Sequence, residues 1–431
     1  MKILVVGNDA RTHVVAETLA NSIQKPVLYS YMKSKNPGIA KLSEDIQLGE
    51  YNDLESIKSF AQANAVDFAF IGPEGPLSEG VVDALDTIGI KSVGPVKELA
   101  KLETSKSFTR LLTKKYNVPG MPLFQVFESI DGLNEFAADE IVIKPDGLTG
   151  GKGVMVQGDH FDTKEQGLKI AKELIEKDGI VVIEEKLVGQ EFSLMSLCDG
   201  KNLFDFPPVQ DHKRAYVDDK GPNTGGMGSY STGKLLPFMT GQDLSDAHNI
   251  TLKMAEAIEK ETGVQYKGVM YGGFIITKDG VKLIEYNARF GDPEAMNILP
   301  VLKNDFVEVC QAVINGTLDQ LQPDFKEEAT VCKYAVPEGY PTNPVEGQKV
   351  DISNVPGNAK IYYASVEEKD DEIYMTRSRA IAFVGIAPSI EDAQAIAENA
   401  VCSVIGPVFH REDIGTKELI QKRIDHINKI R

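Results

Sequence analysis

The sequence predicts a multidomain chain of α/β and α+β class: an N-terminal parallel βαβ domain, a central part of two α+β subdomains, and a C-terminal mixed α/β domain. Three observations carry this. At 431 residues the chain is about three times the roughly 150 residues of a typical domain, too long for one core. Over the first hundred residues short apolar runs alternate with helix-like stretches, as βαβ units on a parallel sheet do. Beyond Glu103 that alternation gives way to strands of antiparallel appearance, at 192–198, 269–277 and 281–286.

In the first domain, residues 1–102, strands are placed at 3–6, 26–31, 67–71 and 90–93. Ligands of such sheets bind past the carboxyl ends of the strands, where Gly7-Asn8 and Gly72-Pro73-Glu74 fall. A dinucleotide fingerprint needs glycines two and five positions after Gly7, and Asp9 and Thr12 stand there instead. Asp9 is a good N-cap for the helix that follows, and a carboxylate there would also repel a phosphate; both readings stay open.

The central part, 103–325, opens with a helix at 104–116 and a small lid subdomain at about 120–187. The lid has strands at 122–127, 140–144 and 180–184, a helical stretch between the first two, a glycine-rich loop after Lys144 and a helix at 164–177. Its larger companion adds a helix at 245–261. The last part, 326–431, holds strands at 329–336, 360–365, 372–377 and 380–387 and a helix at 390–405. Between two of these strands Glu367-Glu368-Lys369-Asp370-Asp371 reads as a solvated hairpin tip.

Composition narrows the function. Lys and Arg number 46 against 64 Asp and Glu, a net charge of −18 that repels phosphate backbones and sets nucleic acid aside. Phosphorylated small molecules remain open, because a few lysines and backbone N–H groups in a cleft suffice for them. Cys198, Cys310, Cys332 and Cys402 are far apart and form no CxxC, so neither a zinc cluster nor a redox motif is expected. The apolar run at 3–6 is too short for a signal-peptide core, and no stretch approaches the ~18 apolar residues of a membrane span, so a cytoplasmic location and no membrane partner are expected.

Four segments carry chemistry. In Asp146-Gly147-Leu148-Thr149-Gly150-Gly151-Lys152-Gly153 the glycines free backbone N–H groups to close over phosphates, with Lys144 and Lys152 as charges; a plain surface loop is the alternative. It is not a Walker A loop, since Gly153 and not Ser or Thr follows Lys152. The run 181–187 ends an apolar strand in Glu184-Glu185-Lys186-Leu187, able to present backbone groups to a purine edge, with Glu191 available for a ribose; simple solvation of these carboxylates is the alternative. Glu285, Asn287 and Arg289 alternate along a strand and share a face. A carboxylate and an amide oxygen suit Mg²⁺, and Arg289 offers a fork for an anion, although a buried Glu–Arg pair would read the same way. In Gln210-Asp211-His212-Lys213-Arg214, His212 is either a general base or a hydrogen-bond partner.

Lys106 in Ser105-Lys106-Ser107-Phe108, the 144–154 loop, Glu184-Glu185, residues 210–214, the turn Gly221-Pro222-Asn223-Thr224-Gly225-Gly226-Met227-Gly228 and residues 287–294 together resemble the phosphoribosylamine–glycine ligase family of ATP-grasp enzymes. The resemblance extends to Gly339-Tyr340-Pro341 and Arg411-Glu412-Asp413-Ile414-Gly415, nearly the whole chain. It implies an ATP-grasp fold in the central part and ligation of glycine to 5-phosphoribosylamine with ATP, through glycyl phosphate, in purine biosynthesis. The cofactors implied are ATP and Mg²⁺, with Mn²⁺ as a substitute, in a monomer or weak homo-oligomer.

By the resemblance, Lys106, Lys144, Gly151, Lys152 and Gly153 are implied to hold the phosphates. Glu184, Glu185 and Leu187 are implied at the adenine, Glu191 at the ribose, and Glu285 and Asn287 on the metal. Lys152, Asp211 and Arg289 are the implied catalytic set, with Asp211 and Arg289 on the ammonium and carboxylate of glycine. Gly7, Asn8, Glu74, Lys213, Asp292 and Pro293 complete the implied substrate sites.

Three departures stand out: Asp9 and Thr12 in a turn where the family has Gly-Asn-Gly-Gly-Arg-Glu-His, Arg377-Ser378-Arg379 where it has Gly-Gly-Arg, and Gly272-Gly273 where other ATP-grasp enzymes carry an acidic metal ligand. Another ATP-grasp carboxylate–amine ligase, or a non-catalytic nucleotide-binding paralogue, are the alternatives. The segment 210–214 with the 221–228 turn speaks against the first, and the presence of Lys144, Glu285 and Asn287 against the second.

Overall fold

A computed structural model describes residues 1–147 and 153–431. The N-terminal sheet has five parallel strands in the order Ser43–Leu48, Val27–Met32, Lys2–Val6, Phe68–Ile71, Lys91–Val93. Alternate residues of the central strand enter different cores: Ile3 and Val5 pack with Val14 and Val15 of the helix Ala10–Ala20, and Leu4 and Val6 with Ile57 and Phe60 of the helix Leu54–Ala63. That two-sided burial explains its unbroken apolar run. The strand Ser43–Leu48 was not expected, because an edge position lets it be acidic and largely solvated. Asp9 is the N-cap of Ala10–Ala20, its carboxylate accepting from Thr12 N at 2.9 Å and pairing with Arg11 Nε at 2.6 Å.

The expected helix at 104–116 is divided. Ser105 adopts extended backbone between Lys101–Thr104 and Lys106–Lys115, and its hydroxyl accepts from Phe108 N, so Lys106 begins the second helix. The lid sheet runs in the order Phe124–Phe127, Val181–Glu185, Ile141–Pro145, Met155–Val156, covered by the helix Lys164–Asp178 with a Thr163/Gln166 capping box. The helical stretch expected between the first two of its strands is only the 3₁₀ turn Leu133–Glu135. Leu133 and Phe136 plug the lid core there, too few apolar residues to make a helix face.

The larger central sheet is antiparallel, in the order Leu203–Asp205, Gln190–Asp199, Lys267–Thr277, Gly280–Asn287, with the helix Gly241–Thr262 against it. A further antiparallel sheet joins Gln210–Asp211 and Gly228–Ser231 to Ala329–Pro337, Ile381–Ala387 and Lys360–Tyr363. Residues of the N-terminal sheet, the central sheet and this last sheet share one continuous apolar core, whereas the lid has its own.

Within the acidic run only Asp370 and Asp371 form the hairpin tip, both at positive φ; Glu367–Lys369 belong to the strand Val366–Lys369, where Glu367 and Lys369 face solvent and Glu368 pairs with Lys35 at 3.1 Å. The helix expected at 390–405 ends at Cys402, and a terminal helix, Lys417–Ile430, follows unforeseen although Leu419, Ile420, Ile424 and Ile427 recur at helical spacing. Among the described residues no helix is long and apolar enough to cross a membrane.

Candidate active site

The strand pair Lys267–Thr277 and Gly280–Asn287 floors an open cavity of about 310 Å³ lined by Glu191, Asp211, Lys213, Tyr271, Gly273 and Glu285 among others. Gly273 stands opposite Glu285 in the register, so no second carboxylate faces it across the pair. Burial pushes the Glu285 carboxyl up, but Lys213, Lys144, Lys106 and Arg289 together hold it below the usual carboxylate range. A third of its side chain is exposed, and among the described residues the nearest ammonium, Lys213 Nζ, is 4.0 Å away. An ionised carboxylate with an open face, two residues from the amide oxygen of Asn287, is a donor set that fits a hard divalent cation.

Beside it lies a buried charge cluster. The Glu184 carboxylate accepts from Arg110 Nε at 2.5 Å and Nη2 at 2.9 Å and pairs with Lys144 Nζ at 2.8 Å, while Lys144 also donates to Ile284 O at 2.9 Å. Burial drives the Lys144 ammonium down, against the attraction of Glu184; burial pushes Glu184 up, but Arg110 and Lys144 outweigh it and keep the carboxyl low. The Glu184 side chain is therefore a clamp between lid and body and does not line the cavity. Glu185 accepts from Leu123 N at 2.7 Å, and Leu187 follows that strand's end half-buried. Lys106 Nζ donates to Gly147 O at 2.8 Å. Gly153 is half-buried; Gly151 and Lys152 lie outside the described residues.

The motifs at 210–214, 221–228 and 287–294 meet at the far wall. Gly226, at φ +112°, is needed there, because a Cβ would come within 2.6 Å of both Asp211 Oδ1 and Pro293 Cδ. Arg379 reaches in from the segment before Ile381–Ala387 and donates to the carbonyls of Gly225, Gly226 and Asp292 at 2.8, 3.1 and 2.7 Å. The Asp292 carboxylate accepts from Tyr334 OH at 2.6 Å, and buried Glu294 from Tyr271 OH at 2.7 Å. Burial and the nearby Glu294 push the Asp211 carboxyl well up, opposed by Lys213 and Arg379.

On the N-terminal side, Gly7 at φ +139° lies against Thr12 and Pro73 so closely that no Cβ fits. Asn8 bridges Ser34 Oγ at 2.9 Å and Tyr51 OH at 2.7 Å. Glu74 sits 3.2 Å from both Arg11 and Arg289; burial raises its carboxyl, but the two guanidinium groups bring it down to about 2. Arg289 also pairs with Glu103 at 3.0 Å and donates to Asn287 Oδ1 at 3.2 Å. The structure thus brings Glu191, Glu285, Lys213 and Asp211 together on the cavity wall, but it gives the Arg289 fork to Glu74, Glu103 and Asn287 and leaves both Arg289 and Asn287 off that wall.

Sequence reasoning missed Arg11, Glu103, Arg110, Glu294 and Arg379. For Arg379 the signal was its place before a strand, as the Arg of the family's Gly-Gly-Arg. A lone cation in a helix, Arg110, gave none.

His212 does not line the cavity, and neither ring nitrogen has a hydrogen-bond partner among the described residues. Burial and the nearby Arg411 and Arg423 push it down to about 3; burial likewise brings His13, on the helix Ala10–Ala20, to about 4. Both are neutral when folded and take up a proton on unfolding once the pH falls below their ordinary ~6.5. Their contribution is fully present above that pH. Stability should therefore fall as pH drops from 6.5 toward 4, by up to about 1.4 kcal/mol per pH unit for each histidine. Denaturant melts of His13→Gln across that range should show a shallower slope, and an unchanged slope would refute the assignment.

Family models match the chain in succession: the phosphoribosylglycinamide synthetase N domain over residues 1–103, its ATP-grasp (A) domain over 104–295 and its C domain over 330–417. The chain is 49% identical to the phosphoribosylamine–glycine ligase of Methanosarcina barkeri and 48% identical to that of Methanocaldococcus jannaschii, over 100% of each chain in both cases. Among solved structures, the phosphoribosylamine–glycine ligase of Thermotoga maritima superposes with a TM-score of 0.81 at 28% identity, covering 96% of this chain and 100% of that one. A biotin carboxylase from Campylobacter jejuni shares the fold, with a TM-score of 0.72 at 15% identity over 99% and 98% of the two chains.

Proposed function

Because the chain belongs to the phosphoribosylglycinamide synthetase family, ATP-dependent ligases that make glycinamide ribonucleotide for purine biosynthesis, we propose that it activates glycine as glycyl phosphate in the cavity over Glu285. The enzyme joins glycine to 5-phosphoribosylamine and releases ADP and phosphate. A carboxylate is a poor electrophile; transfer of the γ-phosphoryl to a glycine oxygen gives an acyl phosphate, whose carbonyl carbon the amine attacks as phosphate leaves. Little covalent work falls to the protein, so positioning and charge do most of it.

Lys106, Lys144 and Lys152, with the N–H groups of Gly151 and Gly153, take the phosphates in this reading. Glu185 and Leu187 border the adenine at the lid hinge that Glu184 clamps, and Glu191 takes the ribose. Glu285 and Asn287 hold Mg²⁺, which when bound neutralises charge on the transferred phosphoryl. Asp211 meets the glycine ammonium and Arg289 its carboxylate, the latter exchanging its 3.2 Å contact with Glu74 for the substrate. Gly7 and Asn8 form the strand-end turn for the ribose phosphate, with Glu74 beside it, while Lys213, Asp292 and Pro293 complete the wall against glycine. The observation that carries the reading is the ionised, open Glu285 carboxylate ringed by four cations on the cavity floor.

The test is ADP release, expected only when glycine and phosphoribosylamine are both present. One added methyl is rejected by packing at about 1–3 kcal/mol, so glycine should be preferred over alanine by roughly ten- to a few-hundredfold in kcat/KM. ADP release without the amine, or equal rates with alanine, would overturn it.

A further inference from the structure

Three side chains of different chemistry, none of them lining the cavity, converge beside the C-terminal sheet. Glu398 and Cys402 lie one turn apart on the helix Ile390–Cys402, and His410 follows the short strand Val408–Phe409 that folds back toward it. His410 Nε2 is 2.9 Å from Glu398 Oε1, Cys402 Sγ is 3.5 Å from the same oxygen, and Sγ and Nε2 are 4.0 Å apart. Tetrahedral zinc, with bonds of about 2.0–2.3 Å, needs its ligand atoms about 3.4–3.6 Å apart, and the three separations bracket that range. We propose that Glu398, Cys402 and His410 form a three-ligand site for a borderline divalent cation, Zn²⁺ foremost.

The surroundings suit it. Glu398 Oε2 is held by the buried ammonium of Lys333, which also donates to Glu412 O at 2.7 Å, so the carboxylate is oriented from behind while Oε1 stays available. Cys402 is exposed and His410 half-buried, which leaves an entry path and a fourth position for water. On binding, the thiol proton is released to water and the metal takes the lone pair of Nε2 from the neutral imidazole, whose single proton then sits on Nδ1. Thiolate and imidazole donors separate this site from the all-oxygen pair Glu285 and Asn287, which suits magnesium.

Cys198, Cys310 and Cys332 are buried, so a maleimide should label the native enzyme at Cys402. One equivalent of Zn²⁺ should slow that labelling by about tenfold or more, since a metal-bound thiolate is withdrawn from attack. Co²⁺ in its place should give a thiolate charge-transfer band that Cys402→Ser lacks. His410→Gln keeps a donor to Glu398 and should leave ligation turnover unchanged while abolishing the protection. Labelling indifferent to Zn²⁺, or protection equally strong in His410→Gln, would overturn the site.

Discussion

Glu285→Ala should abolish ligation, by about 10²–10³-fold or more in kcat, the scale of removing a group that organises charge in a transition state. The fold should survive, because the lost carboxylate is a third exposed and its nearest cation among the described residues is 4.0 Å away. Glu285→Gln, which keeps one oxygen, should retain some activity and need more Mg²⁺. ADP release titrated with Mg²⁺ reads both variants. Wild-type turnover with unchanged metal dependence in Glu285→Ala would remove the residue from the site.

Arg110→Met is the change with the largest expected effect on stability. Arg110 is buried, satisfies both oxygens of Glu184 and donates to the carbonyls of Leu283 and Ile284. Taking one partner from a buried charge cluster typically costs about 3–5 kcal/mol, and because Lys144 still pairs with Glu184 the lower end is expected. Adding Glu184→Leu to Arg110→Met removes the stranded carboxylate and should recover part of that loss, but it leaves Lys144 buried with only a carbonyl partner. By contrast, half-buried Lys106 donates to a single carbonyl, and Lys106→Met should cost under about 1 kcal/mol. Denaturant melts separate these cases. An Arg110→Met enzyme as stable as the parent would show the cluster to be dispensable.

Much of the architecture was legible in the sequence. Strand runs such as Lys2–Val6 and Val181–Glu185 are apolar and bounded by turn residues, and a two-residue period put Glu285 and Asn287 on one face. The misses differ in cause: the short turn at Leu133–Glu135 and the helix Lys417–Ile430 follow from local apolar spacing that went unread, whereas Ser43–Leu48 owes its form to the strand it pairs with at the sheet edge, which local pattern does not carry. The same holds at the site. Side-chain type pointed to candidate ligands, but the capture of Glu184 by Arg110 and of Arg289 by Glu74 and Glu103 depends on residues tens to hundreds of positions away. The tolerance of the departures is likewise spatial: Asp9 turns its carboxylate to its own helix and to Arg11, and Arg379 reaches the wall although serine and arginine precede it.

The lid's apolar core is drawn only from residues between Phe127 and Ile183, with none from the rest of the molecule. Energetically it is a foldon of its own, tied to the body by the covalent chain and by polar contacts such as Glu184 with Arg110, Lys144 with Ile284 O, Asp146 with Ser105 and Ser107, and Asp159 with Arg214. The body's shared core makes its three sheets melt together, while amide protons of Ile141–Pro145 and Val181–Glu185 can exchange through sub-global opening at a free energy below that of the whole protein. A nucleotide seated between lid and body would bind both units at once and erase that difference, so its arrival is written in the exchange rates of the lid as a whole.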